Sequence, residues 1–285
     1  LEEYLESLVG VFDACRRVLR PDGTLWVNLG DTYSRGSRKT VPEQKGECAS
    51  KNDSDKYEFF SPSANLGGHD TIKPKDLVGI PWRFALAMQK AGWYLRSDII
   101  WSKGSCMPES VKDRPTKAHE YVFLFAHPDS QGRYYYDIEA IKEPSVTGER
   151  FHGGYDALMP GGLKGHSRNG RHENEDNTIS MRNKRSVWHV NPKGYSGAHF
   201  AVWPPALVEP MVLAGCPEKG TVLDPFSGSA TTGMVALKNG RNYIGLDLNE
   251  DYYPMAHTRV QGIRSSAKKT IQPPEVNALD LFGAD

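Results

Sequence analysis

Residues 222–233 read VLDPFSGSATTG, and residues 242–247 read NYIGLD. An apolar run ends in Asp224, and a turn of small residues then leads into a segment with helical periodicity. A second apolar run ends in Asp247. This order predicts a strand, a glycine-containing turn, a helix and a second strand, which together form a βαβ unit.

The turn and the two aspartates predict a nucleoside-binding site. Small residues at Ser227, Gly228 and Ser229 allow a ligand to approach the backbone in front of a helix N-terminus. An acidic residue at the end of the next strand is placed to accept hydrogen bonds from ribose hydroxyls. Carboxylates at both strand ends favour an uncharged or cationic part of a ligand over a pyrophosphate, and S-adenosylmethionine fits. The alternative is an ordinary βα turn with a solvated aspartate.

Composition excludes several classes of protein. The 285 residues carry zero formal net charge, so any basic surface for nucleic acid has to be local. The four cysteines form no CxxC pair, which argues against a zinc ribbon or redox motif and favours a reducing, intracellular compartment. We predict no metal site, and the sequence contains no apolar run of membrane-spanning length and no signal peptide.

The order of the segments predicts an α/β fold: a Rossmann-like, mostly parallel twisted sheet with flanking helices and a small irregular recognition region. Residues 31–70 and 145–195 are polar and aperiodic, and the first of these stretches is predicted to be a long mobile loop. The predicted divisions are a catalytic half (1–144), a target-recognition region (145–195), a cofactor-binding half (196–262) and a tail (263–285).

The segments DPFSGSATT and GLDLNEDYY resemble the cofactor motifs of DNA amino-methyltransferases, which modify adenine N6 or cytosine N4. Glycine occupies the family position that is Ala230 here, and we expect a methyl group to be tolerated there unless the cofactor packs on it. The segment HFAVWPP resembles the stretch that closes over the cofactor. The resemblance therefore implies these cofactor-binding residues: His199, Phe200, Ala201, Pro204, Asp224, Phe226, Ser227, Gly228, Ser229, Thr231, Thr232, Asp247 and Asn249.

The catalytic half precedes the cofactor half, which resembles the beta arrangement of these enzymes. The resemblance implies methyl transfer from S-adenosylmethionine to a flipped-out adenine or cytosine in double-stranded DNA. The family's catalytic tetrapeptide is Asp/Ser-Pro-Pro-Tyr/Phe/Trp. The chain has Pro-Pro only at 204–205 and 273–274, without the flanking residues. We expect an N-terminal segment or a partner chain to supply this motif and a central strand, and we expect the chain alone to fold poorly and to be inactive.

Other residues are candidates for the base pocket or for DNA contact. Asn28, Asp31 and Tyr33 follow a strand, and Trp101 and Lys103 end another. Each of them is equally consistent with a structural role. The DNA-contact candidates are Lys112, Arg114, Lys117, His119, Arg168, Arg171, Lys184 and Arg185, for which a solvated surface is the alternative.

Two further interpretations remain open at this point. The chain is also consistent with a non-catalytic DNA- or cofactor-binding subunit that needs a partner, and with an RNA or small-molecule methyltransferase. For the leading interpretation we expect no membrane association, a cytoplasmic protein associated with the nucleoid, and potential homodimers. The choice between adenine and cytosine stays open.

Overall fold

The computed structural model describes residues 1–34, 72–106, 108–145, 181–192 and 203–267. Most of the two aperiodic stretches and most of the tail lie outside these ranges. The helices are α1 (Glu2–Val18), α2 (Ile80–Lys90), α3 (Pro205–Gly215), α4 (Thr231–Lys238) and α5 (Tyr253–Ala267). The strands are β1 (Thr24–Leu29), β2 (Tyr94–Ser102), β3 (His119–Ala126), β4 (Glu143–Pro144), β5 (Met181–Arg182), β6 (Val187–His189), β7 (Thr221–Asp224) and β8 (Asn242–Gly245).

One sheet contains four of these strands, in the order β1, β3, β2, β6. β3 lies between β1 and β2 and is antiparallel to both, with Thr24 and Tyr94 each opposite Ala126. β6 adds to the other edge of β2 in parallel, where Trp101 lies opposite Trp188. The short strands β4 and β5 pair with each other as a separate antiparallel ribbon.

The α/β fold predicted from the sequence is confirmed, but the expectation of mostly parallel pairing needs correction for this sheet. β2 and β3 follow each other without an intervening helix, and such a direct return of the chain pairs strands antiparallel. The apolar run of β1 suggested parallel neighbours because it implied that both faces are covered. Both faces of the sheet are covered: α1 and α2, which directly precede β1 and β2, cover one face, and α3, from a distant part of the sequence, covers the other.

The helices on the two faces form two separate cores. On one face, α1 and α2 bury an aromatic cluster that includes Phe12, Phe84, Trp93, Phe123 and Phe125. On the other face, α3 covers Ile99, Trp101, Val122 and Trp188 with Leu207 and Met211. Alternate residues of β3 therefore point into opposite cores, as the two-residue repeat of a strand requires.

The C-terminal unit has the predicted βαβ order. β7 and β8 are parallel, with Thr221 opposite Asn242 and Asp224 opposite Gly245. α4 connects them and packs against α3 through a small aliphatic cluster of Val208, Val212, Val235 and Ala236. α3 therefore contributes to the cores of both sheets.

Two further contacts position the C-terminal unit against the four-stranded sheet. The Thr24 hydroxyl, at the start of β1, donates to the Gly215 carbonyl at the end of α3 (3.2 Å). Since α3 leads into β7, β1 and β7 begin at the same edge of the molecule. On the opposite side, the Phe12 ring of α1 lies 6.1 Å from that of Phe226. Within the described ranges, no strand pairing joins β1 to β7.

Candidate functional site

The turn between β7 and α4 is held in shape by its own backbone. The Ser227 amide donates to the Leu246 carbonyl and the Ala230 amide donates to the Ser227 carbonyl, both at 2.8 Å. Gly228 has a φ of 48°, and a Cβ atom at this position would meet nothing within 4 Å. The turn is therefore preformed, and the space beside Gly228 is open to a ligand.

Ala230 adopts the left-handed conformation at the N-cap of α4, with φ 57° and ψ 38°. Its side chain is 1% exposed, so the methyl group points into the protein. The sequence prediction was that the methyl would be tolerated unless the cofactor packs on it. The structure gives a different constraint, because the left-handed backbone itself favours glycine.

Asp224 ends β7 with a desolvated carboxyl group. Its Oδ1 accepts a hydrogen bond from the Phe226 amide at 3.0 Å, and the Thr232 side chain provides another. Burial raises the pKa of Asp224, and the negative charge of Asp247 raises it further. A cationic ligand group would stabilise the ionised form, which is consistent with the predicted preference for an uncharged or cationic group over a pyrophosphate.

Asp247 connects the end of β8 to the turn after β7. Its Oδ2 accepts from the Gly228 amide at 2.6 Å, and its Oδ1 accepts from the Asn249 amide at 2.9 Å. The Asn249 side chain in turn accepts from the Asp251 amide. An ionised carboxylate offers about four lone pairs, so two acceptor positions remain for hydroxyl groups of a ligand.

Large apolar side chains surround this polar site. Phe226 is 56% exposed, and Leu246 and Leu248 are exposed as well. Apolar surface next to a few convergent polar groups is typical of a small-molecule site. An aromatic base of a nucleoside is the part of the predicted ligand that suits this surface.

Tyr243 supports the turn from behind. Its hydroxyl lies 2.7 Å from Ser227 Oγ, and burial raises the pKa of Tyr243 to about 12. Any side chain on Gly233 or Gly245 would overlap Tyr243. Both glycines are therefore needed to make room for the tyrosine that fixes Ser227.

The candidates that follow β1 serve the local structure. The Asn28 side chain donates to the Tyr121 carbonyl at 2.9 Å. Asp31 Oδ1 accepts from the Gly79 and Ile80 amides, and therefore caps α2 with a side chain that is only 3% exposed. Tyr33 pairs with Leu77 in an isolated bridge.

Trp101 is a core residue. Its indole is buried against α3 and donates to the Val190 carbonyl at 2.7 Å. Lys103 pairs with Glu120 and lies 4.4 Å above the Trp101 ring. Trp101 therefore has the core position that was its structural alternative, while Lys103 directly follows β2 and is partly exposed.

Three of the predicted DNA contacts lie in the loop before β3 and a fourth, His119, begins β3, and the four are in different environments. Arg114 stacks over the Tyr33 ring at 3.7 Å and pairs with Glu109 at 2.5 Å. Lys117 lies 3.9 Å from Asp31, and burial lowers its pKa. Lys112 is exposed, whereas the His119 ring packs against Tyr121. Lys112 is thus the loop cation best placed to meet phosphate.

The remaining DNA candidates lie near β6 or outside the described ranges. Lys184 lies 5.2 Å above the Trp188 ring, and Arg185 pairs with Glu143 at 2.9 Å while most of its side chain stays exposed. Pro204 is buried at the start of α3. Five of the predicted site residues lie outside the described ranges: His199, Phe200, Ala201, Arg168 and Arg171.

In the part of the chain that the structure describes, no group of three or more histidine, cysteine, aspartate or glutamate residues is arranged to hold a metal ion. No helix in the described ranges is both long and apolar enough to cross a membrane.

Comparisons with known proteins agree with this geometry. A family model described as DNA methylase, of the N6/N4 type, matches residues 1–258. The Type II methyltransferase M.SmaI of Serratia marcescens is 41% identical over 91% of this chain and 75% of its own length. M.Cfr9I of Citrobacter freundii is also 41% identical, over 92% of this chain and 73% of its own.

The chain belongs to the N6/N4 DNA methylase family. The family predicted from the two cofactor motifs is thereby confirmed, and so are methyl transfer to an amino group in DNA and S-adenosylmethionine as cofactor. The solved PvuII DNA methyltransferase (cytosine-N4-specific) has the same fold, with a TM-score of 0.57 and 17% identity, over 94% of this chain and 77% of its own.

The residues of the methylase fit its cofactor. S-adenosylmethionine carries two ribose hydroxyls, two cationic groups and an adenine ring. Asp247 has lone pairs available for the ribose hydroxyls, and the desolvated carboxyl of Asp224 suits a cationic group. The exposed ring of Phe226 suits the adenine. The open side of Gly228 leaves room for the ligand to approach the backbone.

Sequence reasoning missed some of the residues that build this site. Leu248 follows Asp247 and is fully exposed. Its position next to the predicted ribose acceptor could have identified it as a candidate for the site. Tyr243 and Arg259 contact the turn from behind, and no local pattern marks them. Their contacts depend on how β8 and α5 pack against α4.

Proposed function

We propose that this methylase binds S-adenosylmethionine between β7 and β8 and methylates adenine N6 or cytosine N4 at a specific sequence in duplex DNA. The observation that carries the proposal is the pair of aspartates around an open, preformed turn. Asp247 would accept from the ribose hydroxyls, and Asp224 would face a cationic group. Phe226 and Leu248 would contact the adenine ring.

The bound cofactor supplies an electrophilic methyl group. An exocyclic amine conjugated to a ring is a weak nucleophile, so the protein has to contribute mainly by holding the two reactants in line. The preformed turn, whose Gly228 amide donates to Asp247, would hold the cofactor in a fixed position for this alignment. The target base has to leave the duplex to reach the methyl group.

We further propose that an additional strand completes the sheet between β1 and β7. β1 pairs only with β3, and β7 pairs only with β8, among the described residues. α3 covers both sheets on one side, and the Phe12–Phe226 contact joins them on the other. The unpaired sides of β1 and β7 present backbone donors and acceptors, and packed helices connect the two sheets on both faces. A further strand between β1 and β7 could pair with both of them. A segment continuous with this chain or another chain would supply it, together with the catalytic tetrapeptide.

DNA contact is proposed for the exposed cations. Lys112 and Arg185 are accessible, and Lys184 lies beside Arg185 on the approach to β6. We include Arg168 and Arg171 because they lie in the predicted recognition region. Nucleoid DNA as substrate implies a cytoplasmic location. Homodimerisation stays a prediction that no described contact tests.

The test is methylation of mixed-sequence duplex DNA with methyl-labelled S-adenosylmethionine, followed by analysis of the nucleosides. It is run with the 285-residue chain and with a form extended at its N-terminus by the sequence encoded upstream. We expect N6-methyladenine or N4-methylcytosine, and the fold shared with a cytosine-N4-specific enzyme is a reason to measure both. Label in C5-methylcytosine, or in RNA but not DNA, would contradict the proposal. Binding of cofactor and DNA without transfer in either form would favour the non-catalytic subunit.

A further inference from the structure

Arg259, on α5, contacts the turn after β7 at Ser229 and Thr231. One guanidinium nitrogen lies 2.8 Å from the Ser229 carbonyl oxygen and 2.5 Å from the Ser229 hydroxyl. The same nitrogen lies 3.3 Å from the Thr231 hydroxyl. A second guanidinium nitrogen lies 4.0 Å from the sulfur of Met234.

These contacts satisfy polar groups that the fold removes from water. Ser229 and Thr231 are both buried, and a buried hydroxyl or carbonyl without a partner is costly. The N-cap of α4 is Ala230, which has no side chain able to accept hydrogen bonds from the first turn of the helix. Arg259 donates to the Ser229 and Thr231 oxygens at the beginning of α4, so that an arginine of α5 holds this segment, although it cannot accept from the amides of the first turn.

The position of this charge is unusual for a purely structural arginine. A cation beside the first turn of a helix is disfavoured, because the helix dipole places partial positive charge there. Several acceptors at one guanidinium offset that cost. The group they fix is the Ser229–Ala230 peptide, which sets the left-handed residue and the direction in which the turn enters α4.

We infer that Arg259 is a positioning residue for S-adenosylmethionine. It fixes the shape of the turn between Ser227 and Thr231 before the cofactor arrives, without touching the cofactor. This inference rests on the proposed cofactor site. It assigns to α5 a part in cofactor affinity, through a residue that acts by way of Ser229.

The test compares Arg259→Gln and Arg259→Lys with a matched control, Arg241→Gln. Arg241 is also a buried arginine that donates to main-chain carbonyls, those of Cys216 and Asn239. It precedes β8, at the strand end opposite to Asp247. The readouts are the Kd for S-adenosylmethionine by calorimetry, well below the unfolding temperature, and the Tm of each variant.

We expect both glutamine variants to lower the Tm. Arg259→Gln should also weaken cofactor binding by about ten-fold, since binding would then have to order the turn. Arg259→Lys should recover part of the affinity because it retains a donor and the charge. Arg241→Gln should bind as the wild type does.

Equal Kd values for wild type and both Arg259 variants would overturn the inference while leaving the cofactor site intact. The same weakening in Arg241→Gln and Arg259→Gln would also overturn it, since the effect would then reflect general loss of stability. A wild-type protein that fails to bind S-adenosylmethionine would overturn the proposed site itself, and that outcome is visible before any variant is measured.

Discussion

At the residue scale, Ala230 combines a buried methyl group with a left-handed backbone. Replacing it with glycine removes about 1–2 kcal/mol of backbone strain and loses about 0.8 kcal/mol of methyl burial. We therefore expect Ala230→Gly to raise the free energy of unfolding by about 0.2–1.2 kcal/mol. Ala230→Val adds a branched side chain where φ is positive and space is short, and should cost more than about 2 kcal/mol.

Urea denaturation of the two variants measures this difference. A valine variant as stable as the glycine variant would mean that the backbone at residue 230 is not left-handed in solution. The glycine that the family carries at this position would then need another explanation.

Asp224 should show a conflict between stability and function. Burial raises its pKa in the folded protein, so its ionisation opposes folding once the pH exceeds the ordinary carboxyl value of about 3.9. Asp224→Asn should therefore raise the Tm at pH 7. This gain should disappear at about pH 3, where the Asp224 carboxyl is largely protonated in both the folded and the unfolded protein. The same change should weaken S-adenosylmethionine binding by at least about ten-fold, because it removes the charge that faces a cation.

Thermal unfolding at the two pH values, together with calorimetry, tests both parts. A Tm that falls at pH 7 would mean that the hydrogen bonds from Phe226 and Thr232 outweigh the desolvation of the carboxylate. An unchanged Kd would remove Asp224 from the cofactor site.

At the scale of elements, the loop before β3 contains two kinds of cationic side chain. Some contact other residues of the protein, and others are exposed and accessible to DNA. Arg114 is engaged with Tyr33 and Glu109, while Lys112 is exposed. Lys112→Ala should make the slope of log K against log salt less negative by about 0.9, the value for one phosphate contact. Arg114→Ala should leave that slope unchanged and lower the stability of the protein.

Fluorescence anisotropy with a labelled duplex at several salt concentrations provides the slopes. A flatter slope for Arg114→Ala and an unaltered slope for Lys112→Ala would reverse these roles. The original prediction from sequence, that Arg114 binds phosphate, would then be correct.

The elements also explain how far sequence alone could reach. The βαβ unit was predictable because strand, turn and helix follow one another in residues 221–247 and each has a local pattern. The insertion of β3 between β1 and β2 was not, since the pairing of β1 with β3 joins residues about one hundred positions apart. The cap that Asp31 provides for α2 and the stacking of Arg114 on Tyr33 are non-local in the same way.

At the scale of the whole molecule, the two sheets share α3, and β1 and β7 each pair on one side only among the described residues. If the proposed strand comes from outside this chain, the amides on the unpaired sides should exchange rapidly with deuterated water. The amides of β3, which pairs on both sides, should be protected. Extension of the chain upstream, or addition of the partner, should then protect β1 and β7.

Hydrogen exchange followed by mass spectrometry resolves these strands as separate peptides. Full protection of β1 and β7 in the chain as given would mean that residues outside the described ranges already complete the sheet. The proposal of an external strand would then be wrong.

The central claim is that the turn after β7 and Asp247 after β8 form the S-adenosylmethionine site, and calorimetry with Asp247→Ala tests it most directly. Glu250→Ala, which removes an exposed acid three residues later, is the control for net charge. The account predicts that Asp247→Ala weakens binding by about ten- to a hundred-fold, the effect of losing a charge-assisted hydrogen bond worth roughly 1.5–3 kcal/mol, and that the control binds normally. Equal affinities for wild type and Asp247→Ala would contradict it.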